Sequence, residues 1–393
     1  MQAPDARLVK NTYESPVDST HLLPTELWRE IFLTVIPPNP TPLLTPTNFF
    51  GGGLLPKKWT SLRYRQRERA RLRMICKKLE PVILELLLDD VIFYSSGVER
   101  FYCTLENLGS KTWNPGNLTR RITILFSDIL AGDDANTFAL LGKLHEHCPN
   151  SRIVTTFIYF RGPSRASPID LGWARNLKQA NLQTRTFSTH SLVSLAEKNP
   201  ELETLALLAE RPGNVQATLR TNVEFPQLKR FFISCDNVFS HLSSPKLEWL
   251  GLCLRQPSNK GLTGFLWGNS ANLTYLHLNI LDVADEELPR ALHLIYLCPR
   301  LQTLSLEGDP ICNNSVEPRE PHASLQHLIL HLDSPYQVGD WLRMFGLVLG
   351  RRPLLTFMTI KFRLFRGYRA IILEIIARDC GKLDSALVFE ELH

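Results

Sequence analysis

Three kinds of sequence feature are missing from this chain of 393 residues, and each absence excludes a class of protein. There is no uninterrupted apolar run of 18 residues, so no membrane-spanning helix is expected. The start of the chain lacks the basic and apolar segments of a secretory signal. The catalytic and phosphate-binding motifs G-x-S-x-G, H-E-x-x-H and G-x-G-x-x-G do not occur. We therefore expect a cytoplasmic or nuclear protein that is not an enzyme, needs no cofactor and does not contact a membrane.

Paired cysteines are missing as well. The eight cysteines lie singly, without any C-x-x-C pair, which argues against a zinc site and against a compact disulfide framework. The segment His145-Glu146-His147-Cys148 has the residue types of a metal site. Its spacing, however, sends the two imidazoles to different sides of a helix end, so we predict no metal site.

A short apolar helix is predicted near the start of the chain. Pro24 suits the opening of a helix, and Glu26 suits the positive end of the helix dipole. Apolar residues then recur on one side, with two aromatic residues one step around the helix: Leu23, Leu27, Trp28, Ile31 and Phe32. This apolar face is too small to be stable alone, so the helix needs a partner.

A second apolar series follows downstream and is predicted to supply part of that partner. It has helical spacing, and it leads into the leucine-rich segment 81–88. Its members are Leu72, Ile75, Cys76 and Leu79.

Together the two elements resemble the two halves of an F-box, in particular the fungal form, in which a V-C-K-x-W element precedes a leucine-rich helix and a strand. The resemblance lies in Leu23-Pro24-x-Glu26-Leu27-x-x-x-Ile31-Phe32 and Ile75-Cys76-Lys77-Lys78-Leu79. It covers residues 21–95, with a Pro- and Gly-rich insert at 37–60 that we predict to be a loop. The alternative is that residues 23–32 form an ordinary amphipathic helix of a larger α domain.

The F-box resemblance implies partners. F-box helices dock on the Skp-type adaptor of a cullin-RING ubiquitin ligase. On this basis the expected adaptor-binding residues are Leu23, Pro24, Leu27, Trp28, Ile31, Phe32, Ile75, Cys76 and Leu79.

A basic run lies between the two halves of the F-box-like segment. Residues 57–78 contain ten Lys and Arg residues against the single acid Glu68, whereas the whole chain carries only +5. Such a run is typical of phosphate binding or of a nuclear address, or is simply a solvated helix face. The nearby aromatic residues do not alternate with the charges as a base-stacking surface requires. We therefore favour the solvated face and do not expect nucleic acid as a partner.

From about residue 88 onward the pattern L-x-x-L-x-L recurs. Successive starts from Leu202 differ by 26, 19, 26, 28, 24 and 30 residues, close to the period of a leucine-rich repeat. Weaker units of the same pattern precede Leu202, and one of them is predicted at Ile153-Thr156-Ile158. Several units are introduced by Pro-x-Leu, as in Cys298-Pro299-Arg300-Leu301, and helix-like stretches lie between them. The alternative is a conventional α/β domain, which also alternates strands and helices.

The predicted fold class is therefore α/β. A flexible tail at 1–20 would precede the small helical F-box-like module at 21–95. An irregular leucine-rich-repeat solenoid would fill 96–393, with a parallel sheet inside and helices outside.

The strand period of two predicts a binding face on this sheet. Leucines of each motif would point inward, and the residues between them would point to the concave surface. Large aromatic, basic and imidazole side chains of that surface are the expected target-binding residues: Arg230, Phe232, Trp249, Tyr275, His277, His327, His331 and Phe357.

Two functions are compatible with this organisation. The first is a non-enzymatic substrate receptor of a cullin-RING ligase that binds adaptor and cullin, holds an unidentified protein substrate, and is a monomer within the complex. The second is a leucine-rich-repeat scaffold that binds protein or nucleic acid without any ligase.

Overall fold

The structure is a computed structural model of the chain, and parts of the sequence are described in it. The described residues are 24–35, 67–68, 70–71, 79–94, 97–110, 113–127, 134–159, 172–184, 189–209, 222–234, 242–253, 260–280, 293–308, 322–332, 337–341, 357–363, 370–375 and 386–392. The predicted tail at 1–20 and the insert at 37–60 lie outside them.

One large parallel sheet dominates the described residues. Its twelve strands are adjacent in chain order, and every neighbouring pair is parallel. The strands are β1 (Asp90–Tyr94), β2 (Arg121–Ser127), β3 (Ile153–Tyr159), β4 (Gln179–Thr184), β5 (Thr204–Ala209), β7 (Arg230–Ile233), β9 (Trp249–Cys253), β10 (Tyr275–Asn279), β11 (Thr303–Glu307), β12 (His327–Leu332), β13 (Phe357–Arg363) and β14 (Ala386–Leu392). A separate parallel pair is formed by β6 (Val223–Glu224) and β8 (Leu242–Ser243). The predicted α/β class with a large parallel sheet is confirmed.

Helices precede or connect many of these strands. They are α1 (Thr25–Val35), α2 (Glu80–Asp89), α3 (Val98–Leu108), α4 (Asp134–His147), α5 (Thr189–Lys198) and α6 (Lys260–Asn269). Single 3₁₀ turns occur at Pro115–Leu118, Ser270–Asn272 and Leu294–Leu297. None of the helices in the described ranges has the length and apolar character needed to cross a membrane.

The core lies between one face of the sheet and the helices. The motif leucines are in register across neighbouring strands: Leu250 pairs with Leu276, Leu276 with Leu304, and Leu304 with Leu328. All four are fully buried, and they share one cluster with helix residues such as Leu195 and others of α4 and α6. Because strand side chains alternate between faces, the residues between these leucines point to the other side of the sheet.

Prolines mark the turns that lead into the strands. Pro200 and Pro299 each stand second in a tight turn, closed by hydrogen bonds from Leu202 N to Asn199 O (3.0 Å) and from Leu301 N to Cys298 O (3.1 Å). Proline fixes the φ that this turn position requires. The predicted link between Pro-x-Leu and strand entry is therefore present at these turns.

One predicted strand register is wrong by two residues. The pattern Ile153-Thr156-Ile158 places Thr156 at the second inward position of β3. In the sheet Val154 pairs with Ile122 and Ala180, and Thr156 pairs with Leu182, so the equivalent unit begins at the buried Ser151. The small polar side chain of Ser151 stands where the motif usually has leucine, so the sequence gives no apolar signal for the true start of this unit.

A buried asparagine joins successive turns at two equivalent places. Asn199 directly follows helix α5, and Asn269 is the last residue of α6. Each side-chain amide donates to the helix carbonyl four residues earlier at 2.7 Å. Each side-chain oxygen accepts a backbone N–H of the preceding turn, from Leu177 at 2.8 Å and from Ser244. These bonds satisfy carbonyl and amide groups that burial would otherwise leave without partners.

A second, smaller cluster lies at the N-terminal end. The inner side of α1 packs against the start of α2, and its buried members are Phe32, Leu79, Val82, Ile83 and Leu86. Other residues of α2, Leu84 and Leu88, belong to the main core. Helix α2 therefore joins the two clusters, and β1, which ends the predicted segment 21–95, is already part of the large sheet.

Candidate docking surfaces

Helix α1 has an exposed aliphatic stripe on its outer side. Leu27 is 48% exposed and Ile31, one turn later, is 39% exposed. The adjacent side of the same helix is packed, because Phe32 is only 6% exposed and stacks with Trp28 at a centroid distance of 5.9 Å. We name Leu27 and Ile31 the α1 stripe. It is an apolar surface held in place by a packed helix.

The other predicted adaptor-binding residues are placed differently. Leu23, Ile75 and Cys76 lie outside the described residues. Pro24 is exposed, and its carbonyl accepts hydrogen bonds from the backbone of the first turn of α1. Phe32 and Leu79 are buried together in the small cluster, where they support α1 rather than face solvent. A helical period alone could not separate the inward and outward halves of this apolar face.

An ion pair also links α1 to α2. Arg29 Nε lies 3.4 Å from Glu85 Oε1, and both side chains are about 40% exposed to solvent, at 39% and 41%. Water and salt screen a pair of this kind, so it adds little to the stability of the helix contact. The packing of Phe32 is the stronger constraint on the position of α1.

The predicted target-binding residues do share one face of the sheet. The first residues of five neighbouring strands form a partly exposed row, which we name the rim row: Arg230, Trp249, Tyr275, Thr303 and His327. The next residues on that face, two positions further along each strand, are buried, among them Phe232 and His277. The face is therefore accessible at its rim and closed further along the strands.

Three aromatic rings are in contact here, two partly exposed at the rim and the third, Phe232, buried behind them. The rings of Trp249 and Tyr275 are nearly parallel, at 13° with centroids 4.8 Å apart, and Phe232 lies 3.7 Å from Trp249. Arg230 begins the neighbouring strand and is exposed. We name Phe232, Trp249 and Tyr275 the aromatic ledge. The half-buried rings of Trp249 and Tyr275, beside an arginine, have the composition of a protein interface hot spot.

Gly251 makes the aromatic ledge possible. It pairs with Phe232 across β7 and β9, and a Cβ at this position would lie 2.5 Å from a carbon of the Phe232 ring. The ring therefore occupies the space over the glycine backbone. Any larger residue at Gly251 would displace the ring and alter the ledge.

A buried polar cluster lies beside the ledge, formed by His277, Ser305, Glu307 and His331. Ser305 Oγ lies 3.0 Å from His277 Nδ1 and 2.9 Å from His331 Nε2, and His277 Nε2 lies 3.6 Å from Glu307 Oε2. Because a hydroxyl has one proton, Ser305 donates to one imidazole and accepts from the other. Burial also raises the pKa of the neighbouring Tyr275 hydroxyl, an effect that its hydrogen bond with Ser305 partly offsets.

The polar cluster has the residue types of a hydrolase triad but not the accessibility of one. A serine nucleophile must reach a substrate carbonyl and be activated by a base. Ser305 is fully buried, and its hydroxyl is shared between two imidazoles. The cluster therefore fixes the buried part of the face and positions the ledge beside it.

The remaining predicted residues lie at the far end of the row. His327 Nε2 is 2.8 Å from Thr359 Oγ1, which ties β12 to β13. Phe357 begins β13 and pairs with His327, but its side chain lies outside the described side chains. His331 is buried in the polar cluster and is not part of the accessible rim.

The segment His145-Glu146-His147-Cys148 has local structural roles. His145 is buried, and its Nε2 lies 2.7 Å from the carbonyl oxygen of Arg175; burial lowers the pKa of this imidazole. His147 is near the Lys143 carbonyl instead. Burial raises the pKa of the Cys148 thiol to about 11, which disfavours the thiolate that metal binding requires. Among the described residues no cluster of three or more potential metal ligands occurs.

Three contributors to this face were missed as site residues. Ser305 and Glu307 fall in the same motif positions as the predicted site residues, but their small size or charge gave no reason to select them. Gly251 carried a signal, since a glycine inside a strand often marks a close approach of another group. The identity of that group could be known only from the pairing with Phe232.

Comparisons with known proteins give little beyond this geometry. No family model and no curated protein matches the chain. Among solved structures, the chain is similar to a protein from Bacteroides fragilis, with 12% sequence identity, a TM-score of 0.39, and coverage of 83% of this chain and 82% of the other. At that level of similarity the match supports no functional argument.

Proposed function

We propose that this chain is a non-enzymatic substrate receptor of a cullin-RING ubiquitin ligase. The N-terminal helices form an F-box-like module that docks on a Skp-type adaptor. The strands that follow form an irregular leucine-rich-repeat solenoid that holds a protein target. A cytoplasmic or nuclear location and a single copy in the complex fit this function.

The α1 stripe is the observation that carries the proposal. Leu27 and Ile31 remain exposed on a helix whose other side is packed against α2. Exposed aliphatic residues fixed on a short, anchored helix are suited to a partner helix or groove. The F-box resemblance implies that this partner is a Skp-type adaptor.

The sheet supports the second half of the proposal. Twelve parallel strands follow one another in chain order, with helices α2 to α6 packed on a single face. This is the arrangement expected of stacked strand-and-helix repeats. It leaves the rim row and the aromatic ledge on the opposite face, where Trp249 and Tyr275 are the candidate anchors for a target.

Binding of a purified Skp-type adaptor to the full chain tests the ligase function. We expect saturable binding, and we expect the double variant Leu27→Ala with Ile31→Ala to weaken it. Truncating two aliphatic residues that become buried removes about 2 to 4 kcal/mol, which corresponds to roughly 30-fold to 800-fold in Kd. Isothermal titration calorimetry measures the change directly.

The matched control is Leu373→Ala. Leu373 is an exposed leucine, 43% accessible, in the distant helical segment 370–375. The Leu373→Ala variant should bind the adaptor with unchanged affinity. The urea midpoint of each variant reports whether the fold is intact. If the wild-type chain shows no adaptor binding at micromolar concentrations, the ligase function fails. The chain would then be a repeat scaffold whose target site is the aromatic ledge.

A further inference from the structure

A cavity lies between the basic run at 57–78, called the basic segment below, and the first strand of the sheet, β1. Its volume is about 570 Å³, within the range of pockets that hold small molecules. Arg67 and Ala70 line it from the basic segment, and Arg100 lines it from α3. It is separate from both the α1 stripe and the aromatic ledge, and its contents are independent of the ligase proposal.

The cavity is cationic. Arg67 and Arg100 are both exposed, and within the described residues neither guanidinium has a carboxylate partner. Arg71, the residue directly after Ala70, behaves differently, because its guanidinium pairs with the carboxylate of Glu68 at 2.7 Å. Gly97, which precedes α3, also lines the cavity, and no side chain caps the start of that helix.

The rest of the lining is largely apolar and aromatic. Phe93 and Phe101 stack with their ring centroids 5.4 Å apart, and Ile92 and Leu125 lie on neighbouring strands. Apolar walls with a small number of polar groups are typical of sites for small organic ligands. A bare inorganic ion would leave this apolar surface without a contact.

We infer that this cavity binds a small, free aromatic phosphomonoester. The phosphate contacts Arg67 and Arg100, whose two positive charges match the charge of a phosphomonoester at neutral pH. The aromatic body of the ligand packs against Phe93 and Phe101. Because Arg67 belongs to the basic segment and Phe93 to β1, a bound ligand joins the N-terminal region to the sheet.

Calorimetric titration of the full chain with phenyl phosphate tests the inference. We expect saturable binding with a higher affinity than that of phenol or of inorganic phosphate. Phenol lacks the phosphate group, and inorganic phosphate lacks the aromatic ring. Arg67→Gln and Arg100→Gln should each weaken phenyl phosphate binding about tenfold, since each removes a charge-assisted hydrogen bond. Ala70→Trp should also reduce binding, because the larger side chain fills the cavity without changing its charge.

The matched control is Arg71→Gln, which removes the same charge from the same segment but not from the cavity lining. It should change the Kd less than about twofold. Phenyl phosphate binding that is absent at about 5 mM, or that is unaffected by both cavity arginine variants, overturns the inference. So does inorganic phosphate binding as tightly as phenyl phosphate. A phosphotyrosine peptide that binds more tightly than phenyl phosphate would overturn the assignment to a free small molecule.

Discussion

The two hydrophobic clusters of the described chain are built in different ways. The main cluster repeats one pattern, so that Leu250, Leu276 and Leu304 occupy equivalent, fully buried positions on neighbouring strands. The small cluster is formed once, from one side of α1 and the start of α2, and Phe32 is its deepest contribution from α1. The first cluster is stabilised by neighbours on both sides. The second leaves an apolar stripe exposed beside it.

This difference has a consequence for stability. In a stacked array each strand is supported by its neighbours, so damage in the middle spreads to adjoining strands. A short helix on the edge of such an array can open by itself, with a free energy smaller than that of global unfolding. The sheet is thus expected to respond to mutation as a unit, and α1 to respond locally.

Leu276→Ala is expected to have the largest effect on the sheet. Leu276 is fully buried on a strand inside the array, and truncating a buried leucine costs about 2 to 5 kcal/mol through lost burial and the cavity left behind. We expect a clear fall in the urea midpoint, measured by circular dichroism, with faster amide exchange in β9, β10 and β11 together. Thr274→Ala, two residues earlier and partly exposed, is the control. Exchange that accelerates in β10 alone would contradict cooperative stacking.

Much of the sheet could be predicted because its signal repeats. The spacing of Leu273, Leu276 and Leu278 recurs in the equivalent strands and predicts which residues of each strand point toward the core. The proline turns mark where the strands begin. Where the pattern is broken, as at Ser151, the predicted register slipped by two residues. The period fixes which face a residue occupies, but it does not fix how deeply that residue is buried.

The candidate sites were less predictable for the same reason. His277 and Tyr275 were placed on the same face, yet one is fully buried and the other lies at the accessible rim. Depth depends on everything packed around the face, which no local pattern contains. The cavity beside Arg67 could not be predicted either, because its lining joins residues as far apart in the sequence as Arg67 and Leu125.

Phe32→Ala is expected to have an intermediate and local effect. Removing this ring takes away the main contact of α1 with the small cluster and costs roughly 3 kcal/mol of local packing. We expect fast amide exchange in residues 25–35, weaker adaptor binding, and an almost unchanged urea midpoint for the sheet. Thr34→Ala, an exposed position of the same helix, is the control. An equal loss of protection in α1 and in β10 would show that the two clusters unfold as one unit.

Arg29→Gln is expected to have the smallest effect, and it separates the contribution of packing from that of charge. The 3.4 Å contact with Glu85 is the only part of the α1 anchor that depends on charge among the contacts described above. Both groups are more than a third exposed, so solvent screening limits the pair to about 0.5 kcal/mol. We expect amide exchange in α1 to rise less than threefold, adaptor affinity to stay the same, and any difference from wild type to disappear in about 0.5 M salt. Glu85→Gln should match it, and the double variant should be no worse than either single one. If Arg29→Gln instead releases α1 as fully as Phe32→Ala does, the orientation of the α1 stripe is set by the ion pair and not by the buried ring. Adaptor binding by this chain would then be sensitive to ionic strength.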